Sequence, residues 1–511
     1  MTTATQPVAS ATSRSRLHSI GTVATVAALC LAAGCAAPAE SGFGAGPSGT
    51  HATRSGVLKF EANGYPTADT VERVREEIDY QRAVQAYIHF IPAVAMMQWR
   101  NAHFGPLGGN AGDLIVYRTT QQKLPILTAN DTTTYVASFA ELSDTGGLLM
   151  YEVPAGPTGG GVIDLWQRPV SDTGMVGPDR GNGGKFLIVL EGTKVPENHG
   201  ADFVITSKTN TVMIGTRILT PDPAEGQRIL GAHKIHGLGK ESAIRIYEPP
   251  NSDWEGHHPR GLDYWRVVHQ CLQMNPIEVR DMAVLQGLKN LGIEKGQPFD
   301  PTEAQAKLLE EAALVGETWA MGNSFAKPHP VKHWVDDPNS QWQFILFMQS
   351  PLDQMAETHL EIDARTAYTY EAITVTEAST QNLVDAGIQY LAAYKDDAGQ
   401  WLDGANTYEL LVPPNVPMLN FWSVVLYDND TRCMIVNPQG KTEVNSRQPL
   451  VKNADGSVRL VFSPQQPTDV PDANWIQTNP QKGFFAYFRW YSPTKAFFDR
   501  SWKMDNIKQV D

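Results

Sequence analysis

Asn130, Asp131, Thr132 and Tyr135 place an amide, a carboxylate, a hydroxyl and a phenol in one short stretch. Groups of this kind can orient a polar ligand or move protons during catalysis. In an enzyme reading Asp131 is the acid or base, Tyr135 the proton donor or oxyanion partner, and Arg217 a charge clamp. The competing reading is local. Asn and Asp bond their own backbone and are favoured in turns, so the same stretch also fits a loop without chemistry. Asp131→Asn separates the two, since only the enzyme reading expects turnover to vanish while the fold survives.

A second candidate group is Trp166, Arg168, Asp172 and Asp179, with Lys185 and Arg217 on neighbouring predicted strands. Brought together, these side chains would form a polar pocket with an aromatic wall, suited to an oxygen-rich ligand. They equally suit a salt-bridge network with a purely structural role. Of the tryptophans, Trp254 and Trp401 stand beside Gly and Asp in expected loops and are the better ligand contacts; most of the others suit a packed core.

Several chemistries are excluded. There is no Gly-x-Ser-x-Gly elbow, no His-Glu-x-x-His and no phosphate-binding loop. The run from Gly42 to Gly46 follows no strand, so it is no dinucleotide fingerprint. His233 and His236, His257 and His258, and His329 and His333 are close pairs without a spaced third ligand, which argues for surface or hydrogen-bonded roles. No metal and no cofactor is expected.

The elements that must hold these groups follow from periodicity. Asp69 and Glu72 resemble a capping box, and Tyr80, Val84, Tyr87, Ile88 and Ile91 recur at helical spacing, predicting a helix from Thr70 that bends or ends near Pro92. Between Asp113 and Leu219 the pattern becomes short β-rich runs: 114–117, 148–151, 186–189 and 203–205. Residues 261–394 are mainly helical, with Asp300 as a cap, Pro301 in the first turn, and Leu308, Leu309, Ala312, Val315 and Trp319 as a buried face. Strands return after Gly399, at 408–412, 421–427, 458–462 and 484–490, with a hairpin turn at 453–456. The fold class is α+β.

The N-terminal end points to export. Arg14 and Arg16 precede an apolar run from Ile20 to Ala33, the order of a signal peptide and too short for a spanning helix. Leu31-Ala32-Ala33-Gly34-Cys35 resembles a lipobox, which implies lipidation of Cys35; an ordinary cleavable signal peptide is the alternative. The following Gly, Ala, Ser and Pro-rich segment reads as a flexible tether. Cleavage removes two arginines and no carboxylate, taking the net charge from −14 to −16 and disfavouring nucleic acid as a partner. Only Cys271 and Cys433 remain, so there is no disulfide framework, although one bridge is permitted.

Blocks along the chain match in order. They are residues 127–135 with 177–179 and 183–187, then 401–408, 420–424, 427–428, 452–457 and 501–502. Together they resemble bacterial exported proteins that pair the domain of unknown function twelve-fifty-four with the domain of unknown function twelve-fourteen. The resemblance implies a C-terminal β-sandwich of jelly-roll type and a link to carbohydrate metabolism, and it carries over no catalytic residue.

The expected organisation is a signal peptide at 1–34, a lipidated cysteine and tether at 35–60, an N-terminal domain at 61–260, a helical connecting region at 261–398 and a C-terminal sandwich at 399–511. The expected function is that of a lipid-anchored envelope protein, held to the membrane through its lipid alone. It binds, and in the enzyme reading processes, a small polar or carbohydrate-like molecule through Asn130, Thr132, Trp166, Arg168, Asp172, Asp179 and Lys185. A non-catalytic structural or interaction module of the envelope is the alternative.

Overall fold

The computed structural model describes residues 48–327, 339–346, 348, 350, 354–380 and 383–510. The signal peptide, Cys35, the run Gly42 to Gly46 and the pair His329 and His333 lie outside the described residues. The chain divides into two units, Met1–Val71 and Glu72–Asp511.

In the first unit, Thr50–Thr53 and Gly56–Lys59 pair antiparallel as a ribbon. The end of the expected tether is therefore ordered backbone. Gly56, at φ +93, supplies the left-handed turn residue that closes it. The helix that follows is capped by Thr67, whose Oγ1 lies 3.4 Å from the Thr70 amide, and not by the Asp69 and Glu72 pair.

The second unit contains two pairs of sheets. In the first pair, a six-stranded sheet runs in the order Ile246–Tyr247, Leu114–Tyr117, Thr134–Glu141, Thr211–Ile218, Thr158–Asp164 and Pro169–Gly174. A four-stranded sheet runs Lys234–Gly237, Leu148–Val153, Gly184–Leu190 and Phe203–Ser207. Alternate residues such as Val116, Val136, Tyr151, Ile188 and Ile214 point between them into a shared core, as period-two strands require.

The C-terminal pair is built the same way. Gln343–Phe344, Ile388–Ala393, Phe484–Pro493, Met418–Asp428 and Glu443–Asn445 form an antiparallel sheet, joined through one core to Trp475–Gln477, Val458–Ser463, Thr407–Val412 and Lys508–Val510. The short strand Trp475–Gln477 runs parallel to its neighbour. Ile388–Ala393 joins this sheet from before Gly399, so the strands return earlier than periodicity suggested. The turn at 453–456 forms, with Gly456 at φ +86, but it leads from a loop into Val458–Ser463 and closes no hairpin.

A helical layer and the remaining sheet faces share a third core, which takes in the long helix Ala68–Phe104, Leu262–Met274, Glu303–Phe325 and Ile362–Glu371. The long helix does not end at Pro92. Proline lacks the N–H that would bond the Ile88 carbonyl, and tertiary donors take over along this stretch. Thr366 Oγ1 lies 3.5 Å from Ile88 O, Arg365 Nη2 donates to His89 O at 2.8 Å, and Gln167 Nε2 donates to Pro92 O at 2.9 Å. Tyr264 Oη donates to the adjacent Tyr87 O at 2.6 Å.

Helix Glu303–Phe325 starts two residues later than expected, because Thr302 and Gln305 form the capping box. Its buried face is Leu309, Ala312, Ala313, Gly316 and Ala320, while Val315 and Trp319 are exposed. At Gly316 the inner face has no room even for a methyl group, because Tyr87 of the long helix lies against it. Among the described residues no helix is long and apolar enough to cross a membrane.

Among the described residues four buried imidazoles, His89, His103, His233 and His258, have pKa values lowered by burial and make stability pH-dependent. Burial lowers His89 and His233 from the ordinary value of 6.5 to about 4. The unfolded chain therefore binds more protons between those values, and stability falls as pH drops from 6.5 towards 4, by up to about 1.4 kcal/mol per pH unit for each group. Asp172, raised by burial from 3.8 to about 6, works in the opposite direction over its own window. His233→Phe should flatten the slope of urea-unfolding stability between pH 6 and 4.5. An unchanged slope would show that His233 is not held neutral.

Candidate functional site

Strand register opens a cleft on the helix-facing side of the six-stranded sheet. Tyr135, Arg217 and Gly159 stand directly opposite one another on three neighbouring strands, and Ala137, Gly215 and Gly161 form the next row on the same face. The third row returns to bulk with Phe139, Met213 and Ile163. Four of the six side chains in the first two rows are a hydrogen or a methyl group, so a hollow remains where a core layer would otherwise sit. Its volume is about 370 Å³. Met213, Ile163 and Trp99 line its apolar part, and Tyr368, Tyr390 and Tyr491 close it from the helical layer and the C-terminal sheet.

The polar groups lie beside Tyr135. Tyr135 Oη accepts hydrogen bonds from Asn130 N at 2.9 Å and Asn130 Nδ2 at 2.7 Å. With two donors on its oxygen, the phenol's own proton is left to donate elsewhere. Arg217 is half-buried with its guanidinium carbon 5.0 Å from the Tyr135 ring centre. Burial opposes its charge, but the oxygens of Tyr135, Tyr390 and Tyr491 favour it, and its pKa lies above the ordinary arginine value. No ion pair joins Arg217 to a carboxylate among the described residues. The Tyr491 hydroxyl, in a residue 2% exposed, has no hydrogen-bond partner among the described residues.

A buried polar wall stands behind this end. Arg489 Nη2 donates to Thr128 O at 2.7 Å, and its guanidinium lies over the rings of Tyr390, Tyr427 and Tyr487. Burial raises the Glu443 pKa, partly offset by bonds from the Asp131 amide, Thr132 and Asn445.

Two family models match the chain. Residues 113–237 match the family described as protein of unknown function (DUF1254), and residues 387–495 match protein of unknown function (DUF1214). The chain carries both domains, in that order. The DUF1254 stretch supplies Tyr135, Gly159 and Arg217, and the DUF1214 stretch supplies Tyr390, Asn420 and Tyr491, so the cleft is walled by both.

A solved structure of the VPA0106 protein from Vibrio parahaemolyticus is similar over 85% of this chain and 100% of its own, at 17% identity and a TM-score of 0.50. A putative uncharacterized protein from Burkholderia cenocepacia is similar over 87% of this chain and 91% of its own, at 12% identity and a TM-score of 0.35. The comparison with curated proteins found no match.

Of the residues singled out in sequence, Tyr135 and Arg217 meet in the cleft of the DUF1254 domain. Asn130 holds Tyr135 and also closes the turn, accepting from Thr133 N at 2.9 Å. These bonds fit the turn reading, and Asn130 itself is not among the residues that line the hollow. Asp131 does not line the cleft. Its carboxylate accepts from Thr120 Oγ1 at 2.6 Å and lies 3.7 Å from the buried Lys123 ammonium, while Thr132 bonds Glu443.

The second candidate group is not assembled around one ligand. Trp166 is buried against His89 and Phe90, and Arg168 is paired with Asp164 and Glu278. Asp172 accepts from the Glu377 and Ala378 amides at 3.0 and 2.8 Å, capping a short helix. Asp179 holds the Gly174 amide at 2.8 Å, and Lys185 is exposed on the four-stranded sheet opposite Glu152.

Among the described residues no three His, Cys, Asp or Glu side chains are placed to hold a metal. Among the described residues Cys271 and Cys433 form no disulfide and are both buried, with burial pushing the Cys433 thiol up to about 12. Trp254 lines a smaller hollow of about 230 Å³ together with Cys433 and Lys482. Trp401 is 52% exposed under Lys395.

Tyr368, Tyr390, Tyr491 and the glycines are the cleft residues that sequence reasoning missed. One signal was present: three consecutive glycines, Gly159 to Gly161, inside a strand mark close approach of a ligand or of backbone.

Proposed function

We propose that this protein binds a small polar or carbohydrate-like molecule in the cleft between its DUF1254 and DUF1214 domains. The observation that carries the reading is Arg217, a charged group facing an aromatic-walled hollow without a carboxylate partner among the described residues, beside a Tyr135 hydroxyl whose oxygen accepts two bonds from Asn130 and whose proton points to another acceptor. Enclosed hollows with a few convergent polar groups are the usual form of small-molecule sites. Among the described residues the only carboxylate lining the cleft is the exposed Asp385, and no imidazole, amine or thiol lines it. Binding is therefore better supported than acid–base processing through Asp131. The C-terminal sandwich, which we read as jelly-roll in type, serves as the second wall.

We place the protein in the cell envelope, anchored through acylated Cys35, on the strength of the signal-like N-terminus and lipobox. Fatty-acid labelling of the wild type, lost in Cys35→Ala, is the expected result. Retained label would exclude that anchor.

A library of envelope metabolites and glycans tests the binding reading by thermal shift, since a ligand that binds only the folded state raises the melting temperature. A Cβ at Gly159 would meet only Leu219 Cδ1, at 3.5 Å, so Gly159→Leu projects into the hollow without a backbone clash. Any compound that stabilises the wild type should lose its effect on this variant. Stabilisation retained in Gly159→Leu would place the site elsewhere.

A second reading, a docking module, draws on the exposed Leu314, Val315 and Trp319 of one helix. It predicts a partner whose capture is lost in Trp319→Glu and unaffected by Gly159→Leu.

A further inference from the structure

We infer that the occupant of this cleft is an amphipathic organic anion, its charge seated on Arg217 and the neighbouring phenols and its apolar body lying towards Met213, Ile163 and Trp99. The inference rests on the cleft being a ligand site and goes beyond it by fixing the ligand's sign and polarity.

Charge accounting comes first. Among the described residues the cleft is lined by one cation, Arg217, and by one carboxylate, Asp385, which is exposed at the surface. No carboxylate pairs with Arg217 among the described residues; its electrostatic neighbours are phenols. Of the other charges of the wall, Lys123 faces Asp131, Glu443 is bonded by the Asp131 amide, Thr132 and Asn445, and Arg489 donates to Thr128 O among the rings of Tyr390, Tyr427 and Tyr487, a second buried positive charge behind the cleft. Arginine stays charged at any working pH, and a half-buried charge without a counter-ion is costly unless a ligand supplies one.

Donors aim the same way. The Tyr135 oxygen is already occupied by two Asn130 N–H groups, which turns the phenol into a donor, and the buried Tyr491 hydroxyl is unpartnered among the described residues. A guanidinium and phenolic protons around one space suit an acceptor with several oxygens, such as a carboxylate or sulfonate. The rows away from Arg217 present no charge: Ala137, Gly215 and Gly161, then Phe139, Met213 and Ile163. An anion with hydroxyls all round would waste that end, whereas one with an apolar body covers it.

Two dyes that differ in the anionic group test this on the full chain: 1-anilinonaphthalene-8-sulfonate and its uncharged parent, N-phenyl-1-naphthylamine. Fluorescence titration of the wild type should show the sulfonate binding at least about tenfold more tightly than the parent, the scale of one charge-assisted contact. Arg217→Gln should reduce that preference to less than about threefold, and Arg217→Lys should restore part of it. Melting curves confirm that each variant is folded. Equal binding of both dyes by the wild type, or an unchanged preference in a folded Arg217→Gln, would overturn the anion while leaving the cleft as a site. Binding of both dyes that persists unchanged in Gly159→Leu would instead overturn the cleft reading itself.

Discussion

Arg168→Ala lowers the stability of the fold by about 3–5 kcal/mol, the usual loss when one member of a buried ion network is removed. Arg168 Nε donates to Asp164 Oδ2 at 2.6 Å, and its two terminal nitrogens reach Glu278 at 2.9 and 2.6 Å. Side-chain exposures are 4% for Arg168, 3% for Asp164 and 16% for Glu278. Truncation therefore strands Asp164 away from water with only the Arg168 backbone amide at 2.9 Å, and leaves Glu278 with Arg280 at 3.8 Å. Burial already raises the Asp164 pKa with its partner present. Without Arg168 it rises further, and a raised carboxylate gives stability that is present at low pH and lost as pH rises. The deficit of Arg168→Ala should thus be larger at pH 8 than at pH 4.5. Arg168→Lys, which cannot span both carboxylates in a fork, should recover only part of the loss. Urea unfolding at the two pH values measures all three, and a pH-independent loss below about 1 kcal/mol would contradict a load carried by this network.

The second large effect is Gly316→Val. A Cβ built at Gly316 would lie 2.5 Å from the Tyr87 ring, and that ring cannot retreat, because it stacks on Tyr264 at 3.9 Å. Overpacking of this kind costs about 1–3 kcal/mol and occasionally more, and the rigid contact on both sides of Tyr87 sets the upper end as the expectation. The diagnostic variant is Gly316→Ala. In an unconstrained helix it would stabilise by about 0.5–1 kcal/mol; here it should destabilise. A Gly316→Ala protein with a raised denaturation midpoint would show that the two helices pack less closely than described.

These effects concern the helical layer that closes one side of the cleft, and that layer was the least legible part of the chain. The strands could be read because alternation and flanking turns are local: 114–117, 148–151, 186–189, 203–205 and the four C-terminal runs all fall inside observed strands. Helix ends depended on choices that local rules leave open. Asp300 and Thr302 are both good caps, and the capping box with Gln305 decided for Thr302. Pro92 would end a helix on its own, but Thr366, Arg365 and Gln167 arrive from distant segments to serve the carbonyls around it. Val315 and Trp319 suit an inward face by their apolar character, whereas the approach of Tyr87 turns the Gly316 side of the helix inward and leaves these two exposed.

The site divided in the same way. Tyr135 and Arg217 could be suspected from their chemistry, yet that they face each other across paired strands with Gly159 alongside is a matter of register, which no single strand encodes. Asp131 looked catalytic because a carboxylate beside an amide and a phenol suits proton transfer. Its partners, Thr120 and Lys123, are only a short loop away, and they engage it in holding that loop. The tyrosines of the DUF1214 domain lie more than 250 residues from Tyr135 in sequence. They reach the cleft only because the two sandwiches enclose one helical layer.

The most direct measurement of the central claim, that the space between the two domains is a ligand site, is diffraction from crystals grown with saturating 1-anilinonaphthalene-8-sulfonate. The expected map shows one dye inside the cleft, its sulfonate within about 3 Å of the Arg217 guanidinium, the distance of a charge-assisted hydrogen bond. An ordered dye bound elsewhere, with no density between Tyr135 and Tyr491, would contradict it.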